Sequence, residues 1–180
     1  MIQYDTIGRP ARRFRQEKPL VVRRPGFLRE MRGTEQAQVD RLLQNAFGSP
    51  QEAALVRSLR ADRAMAGEQV LPFEDGIAGY AALSEMRSPE GWLCLAPVAI
   101  APEFQGFGHG RRMVGMLAEW ARRSGVFLVV LGAPDFYRRC GFSSERAARL
   151  DAPYPVSHLL LAGPGEDVPK VTLTYPRAFG

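Results

Sequence analysis

One stretch of the chain restricts the fold more than any other, because an apolar segment, a glycine-rich loop and an amphipathic helix follow one another directly. Residues 92–100 are predicted to form a strand, and the loop at 105–110 holds three glycines in five positions. The next apolar residues recur at helical spacing, as Met113, Val114, Leu117, Trp120 and Ala121. Residues 126–131 are then uninterruptedly apolar, which is typical of a strand buried on both faces. The order predicts a βαβ unit.

The glycine loop has the properties of an anion site. Glycine lets the backbone approach a ligand closely, and unpaired N–H groups at a helix N-terminus attract negative charge. We therefore expect a phosphate or pyrophosphate there. Two common phosphate loops do not fit. A dinucleotide fingerprint requires glycine where Arg111 stands, and a Walker loop requires a Gly-Lys pair, whereas the only lysines are Lys18 and Lys170.

Two arginines follow the loop in the first helical turn. The helix dipole disfavours cations at this end of a helix, typically by roughly several tenths of a kcal/mol. A bound anion would reverse this effect, so we expect Arg111 to lie beside the anion. For Arg112 a side chain that simply reaches solvent is an equally good prediction.

The chain of 180 residues fits a single domain without disulfides or a structural metal. Pro97 interrupts the longest uncharged stretch, residues 91–102, which is too short to span a bilayer. The first 15 residues lack the apolar core of a secretion signal, so a cytoplasmic location is expected. Cys94 and Cys140 have no metal-ligand spacing, and we expect both to be reduced and buried. No metal and no membrane partner are predicted.

The formal net charge of +5 is unevenly distributed. Residues 1–32 hold nine basic residues against three acidic ones, whereas the rest of the chain holds 15 against 16. The excess therefore belongs to a basic arm, residues 1–25, that precedes a predicted domain at 26–180. A solvated tail and a segment that binds an anionic partner are the two interpretations, and a nucleic acid is the less expected partner.

The remaining patterns complete an α/β (α+β) prediction: a mixed, mostly antiparallel sheet flanked by helices. Before the βαβ unit, turn signals such as Asp75-Gly76 separate the periodic segments. Strands are predicted at 27–32, 69–74, 77–86, 158–162 and 170–175, and helices at 33–48, 50–60 and 134–140.

Residues 98–111 read Val-Ala-Ile-Ala-Pro-Glu-Phe-Gln-Gly-Phe-Gly-His-Gly-Arg. This segment resembles the acetyl-CoA signature of GNAT N-acetyltransferases: a strand, Gln or Arg, two spacers, Gly, one spacer, then Gly or Ala. Residues 136–142, Phe-Tyr-Arg-Arg-Cys-Gly-Phe, resemble the second block of that family, in which a Tyr precedes Gly-Phe by four positions. The resemblance covers about residues 27–179. Segments 131–134 and 175–179 are similar to a bacterial branch of predicted acetyltransferases.

The resemblance implies a sheet that splays open beside the strand at 92–100, with acetyl-CoA in the gap. The backbone of this strand would pair with the pantetheine arm as with a neighbouring strand. The glycine loop would bind the pyrophosphate through its N–H groups, and the Arg111 side chain would lie near the phosphate. The residues implied in binding acetyl-CoA are Val98, Ala99, Ile100, Gln105, Gly106, Phe107, Gly108, His109, Gly110 and Arg111.

Acetyl transfer from a thioester to an amine requires a neutral amine, hydrogen-bond donors for the oxyanion and a proton for the leaving thiolate. The resemblance implies the Val98 N–H as an oxyanion donor and Tyr137 as the general acid, with a purely structural Tyr137 as the alternative. The general base stays open among three carboxylates, water and a histidine that is more often structural. These side chains are Glu30, Glu85, Glu103 and His158.

The sequence is compatible with more than one function. The leading prediction is direct transfer of an acetyl group from acetyl-CoA to a primary amine in a ternary complex, on a small molecule or a protein. The alternatives are a nucleic-acid-binding protein that uses the arginine-rich arm, and a domain that senses acyl-CoA without turnover. Nothing in the sequence identifies the acceptor amine or decides whether the chain forms a homodimer.

Overall fold

The computed structural model describes residues 24–180, so the predicted basic arm lies outside the described residues except for its last two positions. The elements alternate as the sequence patterns predict, and both the glycine loop and the βαβ unit are present. In chain order they are β1 (Arg29–Glu30), α1 (Gln36–Phe47), α2 (Gln51–Ala61), β2 (Met65–Phe73), β3 (Gly76–Glu85), β4 (Leu93–Ile100), α3 (His109–Ser124), β5 (Leu128–Leu131), α4 (Pro134–Arg138), α5 (Ser144–Ala147) and β6 (Leu159–Ala162).

The strands form one six-stranded sheet in the order β1-β2-β3-β4-β5-β6. All neighbouring strands are antiparallel except β4 and β5, which are parallel. The parallel pairing is short, because only Leu93 with Leu128 and Cys94 with Val129 are partners. Beyond these pairs β4 continues to Ile100 without a partner on that side among the described residues. The predicted splay of the sheet is confirmed.

A β-bulge lies in β4 just beyond the point where the two strands separate. Between the pairs Leu83–Leu95 and Ala81–Val98, β3 advances by two residues while β4 advances by three. The extra residue falls at Ala96–Pro97, where proline has no N–H to contribute to a ladder. Bulges of this kind bend a strand and increase its twist, which turns the second half of β4 away from β5.

Side-chain alternation divides the core between the two faces of the sheet. On one face α3 packs its buried residues, such as Met113 and Leu117, against Leu83 and Leu95. On the other face α1 and α2 cover β2, β3 and the end of β4. The C-terminal residues cover the rest of that face, where Tyr175 packs in a cluster with Cys94 and other apolar residues. Cys94 and Cys140 are buried free thiols, as expected.

The predicted strand at 170–175 is wrong. Its alternate residues Leu173 and Tyr175 are buried, as in a strand, but the backbone forms only isolated bridges, from Thr172 to Asp151 and from Thr174 to Ser88. The segment therefore crosses the face of the sheet instead of joining its edge. The alternation of apolar and polar residues predicted correctly which side chains are buried. It does not specify which segment the backbone of residues 170–175 pairs with.

Smaller differences concern the ends of the sheet. The predicted strand at 27–32 contains only the two residues of β1, and α5 was not predicted. Ser143 begins α5 by accepting a hydrogen bond from the Arg146 N–H at 3.0 Å. Four residues are too few to show a helical period in the sequence. No helix among residues 24–180 is long and apolar enough to cross a membrane.

Candidate functional site

A cleft of about 730 Å³ opens where β4 separates from β5. One wall is the end of β4, the floor is the glycine loop at the start of α3, and α4 forms the opposite wall. Its lining residues are Val98, Ile100, Phe104, Gln105, Gly106, Phe107, Gly108, His109, Gly110, Arg111, Phe136, Tyr137 and Arg139. The structure thus brings together ten of the eleven residues that the sequence implicated, since Ala99 does not line the cleft.

The free edge of β4 presents the backbone of Val98 and Ile100 to this cleft. The Ala101 N–H donates to the Ala78 carbonyl at 2.9 Å, and hydrogen-bonded and non-hydrogen-bonded pairs alternate along antiparallel strands. Ala99 therefore bonds to β3, whereas Val98 and Ile100 point to the open side. Accordingly the Gln105 side-chain amide donates to the Ile100 carbonyl at 2.9 Å. A ligand that lies along β4 meets the Val98 N–H.

The loop glycines are required by backbone conformation, not by lack of space. Gly106 and Gly108 have φ values of 79° and 81°, in the region that disfavours side chains, yet a Cβ at either would touch nothing within 4 Å. The first helical hydrogen bond runs from the Arg112 N–H to the Gly108 carbonyl at 3.0 Å. Between described residues, no backbone hydrogen bond uses an N–H of residues 106–111. As far as residues 24–180 are concerned, these donors are available to an anion at the positive end of α3.

The arginines around the loop have different roles. Arg111 and Arg139 are exposed, line the cleft and form no ion pair with another described residue. Arg112 turns away, because its guanidinium donates to the carbonyls of Gly26 at 3.0 Å and Pro25 at 3.3 Å. Arg111 lines the cleft together with the glycine loop, and its place beside a bound anion stays a prediction. The alternative of a merely solvated Arg112 is wrong.

Tyr137 is held in the opposite wall by close packing. Its ring contacts Phe136 and Phe142 edge to face, with ring centroids 5.0 and 5.7 Å apart. Gly132 lies so close to the ring that a Cβ at that position would overlap it. The Tyr137 carbonyl accepts hydrogen bonds from the N–H groups of Cys140 at 2.9 Å and Phe142 at 3.1 Å. The ring is thus packed between Gly132 and two aromatic side chains.

The Tyr137 hydroxyl has no hydrogen-bond partner within residues 24–180, although the ring is half-buried beside the cleft. Desolvation in the wall raises the pKa of Tyr137 from about 10 to about 12, with a smaller contribution from the thiols of Cys140 and Cys94. The hydroxyl thus keeps its proton throughout the physiological range. Tyr137 lines the cleft, and its role as the general acid stays a prediction.

His109 and Phe107 line both the main cleft and a neighbouring cleft. The His109 ring is 6.3 Å from Phe104 and 6.5 Å from Phe107 between centroids. Desolvation lowers the pKa of His109, and the charges of Arg112 and Arg24 add to the effect. The imidazole is therefore neutral at physiological pH. Phe107 is 75% exposed.

None of the four candidate bases lines the main cleft. Glu30, Glu85 and Glu103 are exposed, and Glu103 borders only neighbouring clefts. His158 is also exposed, while its carbonyl accepts the Gly132 N–H at 3.0 Å and so supports the wall behind Tyr137. Sequence reasoning missed Phe104, Phe136 and Arg139 as lining residues. The last two lie within the quoted block at 136–142, where the signal was already present.

Comparisons with known proteins agree with this geometry. The model of the acetyltransferase (GNAT) family matches residues 36–142. The chain is 36% identical over 121 residues to the uncharacterized N-acetyltransferase YjhQ of Escherichia coli K12, an alignment that covers 62% of this chain and 66% of YjhQ. It is 34% identical over 119 residues to the uncharacterized N-acetyltransferase YhbS of the same strain, which covers 63% and 70% of the two chains.

Two solved structures share the fold over most of their length. The crystal structure of YhbS from Escherichia coli in complex with CoA matches with a TM-score of 0.77 at 25% identity, over 86% of this chain and 92% of that one. A GNAT family acetyltransferase from Brucella melitensis in complex with acetyl-CoA matches with a TM-score of 0.71 at 26% identity, over 86% and 97%. The chain therefore belongs to the GNAT acetyltransferase family.

Proposed function

We propose that this protein transfers an acetyl group from acetyl-CoA to a primary amine by direct transfer in a ternary complex. The observation that carries the proposal is the cleft itself, which joins the open edge of β4, the unpaired N–H groups of the glycine loop and the Tyr137 hydroxyl in one continuous surface. The solved relatives from Escherichia coli and Brucella melitensis, in complex with CoA and acetyl-CoA, support the same donor.

In this proposal the donor is bound mainly by backbone groups. The pyrophosphate lies on the N–H groups of residues 106–111, with Arg111 beside it. The pantetheine arm follows β4 and pairs with the Val98 carbonyl and the Ile100 N–H, as an added strand would, which leaves the Val98 N–H for the reacting carbonyl. This places the thioester between the bulge of β4 and Tyr137.

The chemistry follows from these positions. The amine nitrogen attacks the thioester carbon, and the Val98 N–H donates to the oxygen that becomes negative. When the carbon–sulfur bond breaks, the sulfur keeps the electron pair and Tyr137 supplies its proton. Burial in the cleft raises the pKa of a thiol, so the leaving thiolate is a stronger base there than in water and takes the proton more readily. The product amide leaves with CoA.

The base in this proposal is water. Each candidate carboxylate and His158 lies outside the main cleft, and the amine must lose a proton during the transfer. Water that enters the open cleft accepts this proton and returns one to Tyr137. The acceptor is a small molecule or a protein amine, and the cytoplasmic location stays a prediction from the sequence.

Calorimetry with acetyl-CoA tests the donor, and the chain offers a matched pair of variants. Gly108→Ala and Gly48→Ala both place a side chain at positive φ in otherwise open space, and each is expected to cost about 1–2 kcal/mol of stability. Only Gly108 borders the cleft. We expect Gly108→Ala to weaken acetyl-CoA binding at least tenfold and Gly48→Ala to leave it unchanged. No binding at millimolar acetyl-CoA would refute the proposed function.

A further inference from the structure

A second cleft, of about 590 Å³, adjoins the glycine loop. It shares Phe104, Phe107, Gly108 and His109 with the main cleft, but Arg24 and Arg112 line it in place of Tyr137 and Arg139. Nothing in the proposed reaction uses this second cleft.

The chain just after the predicted basic arm is fixed at this place by backbone contacts. The Gly26 N–H donates to the Pro72 carbonyl at 2.7 Å, next to the end of β2. From the other side the Arg112 guanidinium holds the carbonyls of Pro25 and Gly26. The segment at 24–26 is thus tied to both β2 and the first turn of α3. These contacts set Arg24 at the edge of the cleft.

The second cleft keeps unused hydrogen-bond donors. Arg112 bonds to the two carbonyls through a single terminal nitrogen, so its other N–H groups have no partner among the described residues. Arg24 forms no ion pair with any residue from 24 to 180. Glu103 is the one carboxylate among the lining residues that the structure describes, and His109 is neutral. The cleft therefore carries a net positive charge.

We propose that this second cleft binds the 3′-phosphate of CoA, with Arg24 and Arg112 as its ligands. The inference rests on the proposed function, because a pyrophosphate on the glycine loop would bring the attached 3′-phosphoadenosine within reach of the second cleft, which shares Phe107, Gly108 and His109 with the main cleft. Arginine is suited to phosphate by its planar set of donors. The exposed ring of Phe107 offers the adenine a flat apolar wall.

One structural alternative is a groove of about 670 Å³ on the α3 side of the loop, lined by Arg111, Arg112 and Arg139. It contains Glu119, whose carboxylate already pairs with Arg122 and Arg123, and no aromatic side chain among its described residues. The aromatic ring of Phe107, which the groove on α3 does not share, favours the second cleft.

The test is calorimetric titration of the full-length protein with CoA and with 3′-dephospho-CoA. We expect the wild-type protein to bind CoA about tenfold more tightly, as one charge-assisted contact allows. Arg24→Ala should remove this preference and leave the affinity for 3′-dephospho-CoA unchanged. Arg149→Ala, which removes an exposed arginine after α5, is the charge-matched control and should keep the preference.

Several results would overturn the inference. Equal binding of both compounds by the wild-type protein would do so, as would an Arg24→Ala variant that keeps the preference. If Arg139→Ala alone removes the preference, the 3′-phosphate occupies the groove on α3 instead. Binding of neither compound would refute the donor itself, and so differs from a failure of this subsite alone. Arg24 lies at an exposed position outside helices and strands, so circular dichroism of the variant should match the wild type.

Discussion

Gly132→Ala tests whether the wall of the cleft fixes Tyr137 by packing. An alanine Cβ at this position would overlap the edge of the Tyr137 ring, and two further ring carbons, Cδ2 and Cζ, would lie at 3.2 and 3.4 Å. The φ of Gly132 is not in the positive region, so the backbone itself accepts alanine. Any loss of stability must then come from the ring, and overpacking of this kind costs about 1–3 kcal/mol.

A double-mutant cycle isolates that contact. In a Tyr137→Ala background the ring is gone, and Gly132→Ala should stabilise the protein by about 0.4–1 kcal/mol through the lower entropy of the unfolded chain. The coupling energy between the two positions is therefore expected at about 1.5–4 kcal/mol. Urea denaturation of the four proteins measures it. Gly33→Ala serves as the control, because a Cβ there meets nothing within 4 Å.

The reasoning is refuted if Gly132→Ala changes the free energy of unfolding equally in both backgrounds. The contact then does not constrain the ring, and the position of the Tyr137 hydroxyl must depend on the aromatic contacts with Phe136 and Phe142 instead. If Gly33→Ala is as destabilising as Gly132→Ala, the effect belongs to glycine replacement in general.

Two further predictions concern protonation. Tyr137→Phe should lower turnover about a hundredfold or more and change acetyl-CoA affinity less than twofold, as steady-state rates and calorimetry would show; equal turnover would remove Tyr137 from the reaction. The Arg29 guanidinium bonds to both Glu35 oxygens, at 2.6 and 2.9 Å, and this contact holds the pKa of Glu35 at about 2. Its contribution to stability is present above the ordinary pKa of about 4.5 and is lost as pH falls toward 2. Glu35→Gln should therefore flatten the pH dependence of the urea midpoint between these values, and an unchanged slope would contradict the assignment.

The sequence was sufficient to predict most of the residues that line the cleft along β4 and the glycine loop. The residue types in the loop matter through backbone geometry, since Gly106 and Gly108 adopt the φ values that glycine alone tolerates easily. The spacing of the glycines in the sequence therefore indicates this backbone conformation directly. The same holds for Tyr137, whose position relative to Gly141 and Phe142 reflects a tight turn closed by the Tyr137 carbonyl.

What the sequence could not show depends on contacts between distant segments. The hydrogen bonds from Arg112 to the carbonyls of Pro25 and Gly26 join positions more than 80 residues apart, and no local pattern predicts them. Residues 170–175 alternate as a strand would, yet their partners are single residues on two different segments. For Ala99, proximity to the signature suggested a contact with the donor, but the alternation of hydrogen-bonded pairs turns its backbone to β3.

The short parallel pairing between β4 and β5 gives the molecule two leaves. One leaf is the four-stranded part with α1 and α2, and the other is the β5–β6 pair, and just two residue pairs join them in the ladder. The separation of the leaves is therefore set by the side chains at this junction, such as Leu95 and Leu128 beneath α3. Residues that do not line the cleft thus determine how wide it is.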